Sequence, residues 1–276
     1  MNRLTHNFNE LKARGEQALI CFMTAGDPDP DITVDLACSL YGAGVDAIEL
    51  GIPFSDPLAD GPSIQASSQR ALDTGMTTRK AMQCAARIHD KVPGLPIVLM
   101  TYYNPVLRYG MQQFAQDAVA SGVDGVIITD LTPEEAAEWQ GHANASNLAT
   151  IYLLAPTSTE DRVESVSKIC SGFVYCVSRT GVTGARQDVP LDLQETITRI
   201  RKFTDLPLAV GFGVSLPDHV KAIGAFADGV VVGSALVDLI NTNRDNPNLL
   251  KIASDYCATL KAATRKLDSP QAKGTR

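Results

Sequence analysis

The chain has 276 residues, 45% hydrophobic and 20% charged, with a formal net charge of -7 and a pI near 5.1. This composition describes a globular chain with a large core and excludes disorder. Its acidic balance argues against nucleic acid as a partner, because phosphate backbones need clustered Lys and Arg. No apolar run approaches a membrane span, and no apolar segment precedes Ala18, so neither a membrane anchor nor a secretory signal is expected.

The first expected element is a short amphipathic helix, with Leu4, Phe8 and Leu11 on one face. Eight apolar segments then recur: Ala18–Ala25, Val45–Ile52, Pro96–Tyr103, Val123–Leu131, Ala149–Ala155, Gly172–Arg179, Pro207–Val214 and Ala227–Gly233. Helical periodicity fills the gaps, as in the stripes Val163, Val166, Ile169 and Leu193, Ile197, Ile200, Phe203. Strand and helix alternating in this way imply parallel pairing through right-handed crossovers. Eight units in this length point to an α/β fold, a single (β/α)8 TIM barrel with an extra N-terminal helix. A doubly wound open sheet is the alternative. No Ser- or Pro-rich linker divides the chain, so residues 1–276 are expected to form one domain, with the polar tail 268–276 disordered. Three strand starts echo one another, GVDAI at Gly44, GVDGV at Gly122 and ADGVV at Ala227. The echo suggests a repeated helix-to-strand turn and need not mean function.

The six cysteines, Cys21, Cys38, Cys84, Cys170, Cys176 and Cys257, form no C-x-x-C pair and read as reduced, buried thiols of a cytoplasmic protein. The four histidines, His6, His89, His142 and His219, have no metal-ligand spacing, so no metal is expected.

In a barrel of this kind the chemistry sits at the C-terminal strand ends. The second strand, VDAIELGI, carries Glu49 near its end with no adjacent Lys or Arg. Alternation places Val45, Ala47 and Glu49 on one face and Ile48 and Leu50 on the other; the bulkier face should meet the helices, leaving Glu49 to point into the barrel. A structural ion pair with a distant Arg would explain such a residue. So would acid–base catalysis, because an apolar site raises a carboxyl pKa toward the working pH. Asp60 follows in PFSDPLADGP, where it reads either as a helix cap before Pro62 or as a second functional carboxylate. Asp56 carries the same ambiguity. Strands seven and eight end in AVGFGV and VVGSAL, which put Gly213, Gly233 and Ser234 at strand exits, the second running straight into a helix. Helix N-termini bind phosphate, although glycine also serves tight turns. The stretch 178–190, SRTGVTGARQDVP, is long for a strand-to-helix connection and could close as a lid. Phe22, Met100, Tyr102, Leu153, Tyr175 and Phe212 fall near strand ends, where they either belong to the core or line a slot for a flat ring.

FMTAGDP at Phe22, ELGIPFSDPLADGP at Glu49, TYYNPV at Thr101, YCVSRTGVTG at Tyr175 and VGFGVS at Val210 together resemble the tryptophan synthase α-subunit family, from Asn7 to about Ile240. The resemblance implies a cofactor-independent carbon–carbon lyase of tryptophan biosynthesis that splits indole-3-glycerol phosphate into indole and glyceraldehyde 3-phosphate. It implies an α2β2 complex with a β subunit that carries pyridoxal phosphate and consumes the indole. By position, Glu49 and Asp60 match the family's catalytic carboxylates. Phe22, Tyr102, Tyr175 and Phe212 match its indole pocket; Gly184, Gly213, Gly233 and Ser234 match its phosphate donors. Thr183 matches its lid threonine, from which Asp56 would accept a hydrogen bond on closure. Cys176, Thr129 and Thr132 depart from the common pattern, and Thr129 falls where it would touch the pocket. The rival readings are another phosphate-binding barrel enzyme and a catalytically weak regulatory subunit of the β partner.

Overall fold

The computed structural model describes residues 2–177, 191–211 and 213–265. The lid stretch 178–190, with Thr183 and Gly184, the ring of Phe212 and the tail 268–276 lie outside the described residues. Nine parallel segments form the sheet: β1 Ala18–Thr24, β2 Ala47–Gly51, β3 Ile97–Thr101, β4 Gly125–Ile128, β5 Ala149–Ile151, β6 Leu153–Leu154, β7 Val174–Val177, β8 Leu208–Gly211 and β9 Gly229–Val232. Their order is β5-β4-β3-β2-β1-β9-β8-β7-β6. The two ends of that order, β5 and β6, are consecutive pieces of one stretch separated by Tyr152, so the chain itself closes the ring. β5 pairs with β4 and β6 with β7. The stagger of strands in a barrel explains the split, since the start of a tilted strand meets one neighbour and its end the other. The eight expected units are all present, the fifth as two segments.

Alternation sorts the side chains into two layers. Ile20, Ala47, Val98, Ile127, Ile151 and Val231 face inward, while Leu19, Cys21, Ile48, Leu50, Ile97 and Leu99 pack under the surrounding helices. Val45 corrects one expectation. It precedes β2 and lies in the outer layer rather than with Ala47, because period-2 alternation applies only once the chain is extended in the ladder.

The N-terminal helix, Arg3–Ala13, stoppers the bottom of the barrel. The Asn2 side chain caps it by accepting the Leu4 N–H at 2.9 Å. Leu4, Phe8 and Leu11 pack against Ala18, Ala149, Phe173 and Ala209. Small residues at the strand starts make the room: a Cβ on Gly229 would sit 3.2 Å from the Phe8 ring. Truncation of Phe8→Ala should therefore cost about 3–5 kcal/mol, read as a lower urea midpoint with unchanged slope.

The three echoed turns share one structural purpose. Asp46, Asp124 and Asp228 each donate a backbone N–H to the carbonyl of Leu19, Ile97 and Leu208, respectively, at 2.8–2.9 Å. Each carboxylate then accepts the N–H of that same residue, at 2.7, 2.9 and 2.9 Å. A cation completes each clasp: Lys261 on Asp46, Arg3 on Asp124 and Arg201 on Asp228. The clasps pin adjacent strand starts in register at the bottom of the barrel, away from the chemistry.

Candidate active site

Glu49 stands on the inner face of β2, in register with Phe22 on one side and Val98 on the other. It is 1% exposed, and its Oε2 has no hydrogen-bond partner among the described residues. None of the described salt bridges includes it, so the ion-pair explanation fails within those residues. Burial, and then the negative charge of Asp60, push its pKa up to about 8.

β2 runs out at Gly51 into the loop that bears Asp60. Asp60 donates its N–H to Pro57 O at 3.0 Å, and its carbonyl accepts from Gln65 Nε2 at 2.8 Å. The next helix, Pro62–Asp73, is capped by Gly61 and has no side-chain cap. The Asp60 carboxylate is thus not spent on capping. Burial raises the pKa of this carboxylate to about 6, with the nearby Tyr102 hydroxyl offsetting part of the rise. Asp56 is exposed and accepts from Ser55 Oγ at 2.6 Å.

A cavity of about 150 Å³ opens beside the two carboxyls. Phe22, Met100, Ile127, Leu153, Tyr175 and Val177 supply apolar walls; Thr129, Ala59, Gly61, Ile64 and Gly233 complete it. Two rings enter by the same device. Phe22 and Tyr175 pair with Glu49 and Ala209, and each ring leans over the residue two places further on, Gly51 and Gly211. A Cβ on Gly51 would stand 2.7 Å from the Phe22 ring, and one on Gly211 would strike the Tyr175 ring. Only glycine lets these rings lie flat at the mouth. Burial and the charges of Glu49 and Asp60 raise the Tyr175 hydroxyl well above its ordinary pKa, keeping it a neutral donor.

β9 ends at Gly233, which lines the cavity and caps the helix Ser234–Thr242. Leu236 and Val237 donate to Gly233 O at 3.0 and 3.1 Å, so the amides of Ser234 and Ala235 come before the first intrahelical bonds and face outward along the axis. Gly213, just past β8, holds φ at 41°, a left-handed value that favours glycine.

Glu49, Asp60, Phe22, Tyr175 and Gly233 therefore meet at one cavity, with Ser234 adjoining it. Tyr102 is not among the described residues that line it. Its ring stacks on Phe54 with centroids 5.2 Å apart, and its hydroxyl accepts the Ala59 N–H at 3.0 Å, which turns it toward the loop. Sequence reasoning did not single out Ile64, Ile127, Val177, Ala59 or Gly61. Ile127 and Val177 were open to strand alternation. Ile64 sits in the first turn of a helix and had no such signal.

The profile described as Tryptophan synthase alpha chain matches residues 8–265. The tryptophan synthase alpha chain of Desulfatibacillum aliphaticivorans is 46% identical over 265 residues, covering 96% of this chain and 100% of the other. That of Geobacter sulfurreducens is 50% identical over 239 residues, covering 87% and 90%. Among solved structures, the tryptophan synthase subunit alpha of Legionella pneumophila superposes with a TM-score of 0.89 at 34% identity, covering 96% of this chain and 98% of the other. A tryptophan synthase structure from Mycobacterium tuberculosis gives 0.89 at 37% identity, with the same coverage. On this similarity over nearly its whole length, the chain belongs to the tryptophan synthase alpha chain family.

Proposed function

We propose that Glu49 and Asp60 divide the work by which this chain splits indole-3-glycerol phosphate into indole and glyceraldehyde 3-phosphate. The observation that carries the assignment is the contrast between two carboxyls on one strand–loop unit. With pKa values near 8 and 6, Glu49 is largely protonated and Asp60 largely ionised at neutral pH.

The reaction is a retro-aldol cleavage. Glu49 gives its proton to indole C3, and positive charge develops on the ring nitrogen. The ionised Asp60 stabilises that charge. The Glu49 carboxylate then takes the proton of the side-chain hydroxyl next to C3. The carbon–carbon bond breaks, its electrons return to the ring, and indole and the aldehyde are released with Glu49 protonated again. Phe22, Met100, Leu153 and Tyr175 form the slot for the ring.

The phosphate is held by backbone N–H groups at Gly213, Gly233 and Ser234, with the helix N-terminus favouring the anion. Placing a carboxylate there with Ser234→Asp should raise KM about 10–100-fold, the worth of a lost charge-assisted bond, with little change in kcat. An unchanged KM would move the phosphate to another strand pair.

The family needs no cofactor of its own; pyridoxal phosphate belongs to the β chain, with which this chain assembles as α2β2 and to which the indole passes. No helix among the described residues is long and apolar enough to cross a membrane. The biosynthetic role and six free thiols support a cytoplasmic setting. The test of the reading is release of glyceraldehyde 3-phosphate from indole-3-glycerol phosphate, by the chain alone and with a β chain. Absence of cleavage in both would overturn it.

A further inference from the structure

We propose that the Arg70–Asp27 ion pair positions Asp60, acting through the helix Pro62–Asp73. The inference rests on the assignment of Asp60 above and adds what fixes that carboxylate in space. Asp60 stands in a loop with little hold on the barrel. Leu58 is 94% exposed, and the Leu58 and Asp60 N–H groups go to Asp56 and Pro57 within the loop itself. Among the described residues, the hydrogen bonds and ring contacts from the stretch 53–60 to the strand ends go only to Tyr102, whose ring meets Phe54 and whose hydroxyl accepts from Ala59. The other hold is the helix. Asp60 precedes the Gly61 cap, and its carbonyl accepts from Gln65 Nε2 at 2.8 Å, so the residue moves with the first turn.

That helix is bolted to the end of β1 and the turn that follows it. Ser67, fully buried, donates to Ile64 O at 2.8 Å and accepts from Thr24 Oγ1 at 2.6 Å. One turn further on, Arg70 makes a two-pronged bond to Asp27, Nε to Oδ1 at 2.8 Å and Nη2 to Oδ2 at 2.7 Å. Asp27 is 6% exposed, and its N–H donates to Thr24 O at 3.2 Å, which sets the residue against the end of β1. A buried pair of this kind adds little net stability over apolar side chains of similar volume. What the planar fork adds is a single orientation. Arg70 lies about 12 Å along the axis from Pro62, so it sets the tilt of the helix and with it the place of Asp60.

The test is steady-state cleavage of indole-3-glycerol phosphate by the full chain assembled with its β chain, beside melting curves of the same variants. The paired replacement Asp27→Leu/Arg70→Met removes both charges at once and should melt within a few degrees of the parent. It should nevertheless lower kcat about 10–100-fold with KM within about threefold, the scale of a reacting group displaced by about 1 Å. Arg70→Lys keeps the charge without the fork, and its kcat should fall between the two. In an Asp60→Asn background the paired replacement should cost no more than about twofold further, because no charge remains to misplace. A paired variant that melts like the parent and turns over normally would overturn the proposal and leave the ion pair a structural one. So would a raised KM with unchanged kcat, or the same loss of kcat repeated in the Asp60→Asn background. Should the paired replacement not fold, Arg70→Lys decides by the same split between kcat and KM. If Asp60→Asn keeps full activity, the assignment of Asp60 fails instead.

Discussion

Glu49→Gln is expected to lower kcat for indole-3-glycerol phosphate cleavage by about 10²–10⁴-fold while substrate-analogue affinity persists, because the amide keeps the shape but cannot give and retake a proton. Stability should move the other way. The Glu49 pKa is raised from 4.5 to about 8 in the fold. The protonated carboxyl therefore stabilises the native state fully below about pH 4.5, and this is lost progressively as pH rises through about 8. The amide carries no such loss, so the variant should melt higher than the parent at pH 8–9 and show a smaller advantage at pH 5. In the parent, kcat/KM should fall above about pH 8 as Glu49 ionises and below about pH 6 as Asp60 protonates. These limbs belong to the interacting pair. Near-normal turnover in the Gln variant would remove Glu49 as the acid–base group.

Asp60→Asn should cost about 10²–10³-fold in kcat, the scale of one preorganised group aimed at developing charge. Its fold should survive, for two reasons. Gly61 caps the following helix with no side-chain bond, so no cap is lost. The Asp60 carboxyl is itself raised from 3.8 to about 6, so its contribution to stability is present below about pH 3.8 and already mostly lost at neutral pH. The amide escapes that loss, so the variant should melt no lower than the parent at pH 7. A variant that melts much lower yet cleaves normally would restore the capping explanation.

Much of this was open to inspection in the sequence. Glu49 was an anomaly in an apolar run, and alternation aimed it inward. The eight apolar segments and the helical stripes between them implied the ring of parallel strands. The glycines after strands seven and eight fell where a phosphate site was expected. The echo of Asp46, Asp124 and Asp228 was visible too, but its meaning was not. Each aspartate clasps a residue about 20–30 positions earlier in the chain and a cation from elsewhere, and no local pattern carries such a pairing.

Tyr102 shows the same limit at the site itself. The sequence places an aromatic at the end of the third strand, but whether its ring faces the slot or the loop is decided by the Phe54 ring and the Ala59 N–H that it meets in the fold. Asp60 could have capped a helix or faced the cavity, and the backbone chose Gly61 as the cap. The break of the fifth strand at Tyr152 likewise follows from the stagger of the closed ring. By itself the sequence determined the period, the order of elements and the identity of the candidate reactive groups, because these depend on local sterics and on which side chains shun water. The tertiary structure alone decided which groups share a cavity and what charge each carries there, because desolvation and hydrogen bonding are set by neighbours distant in the chain.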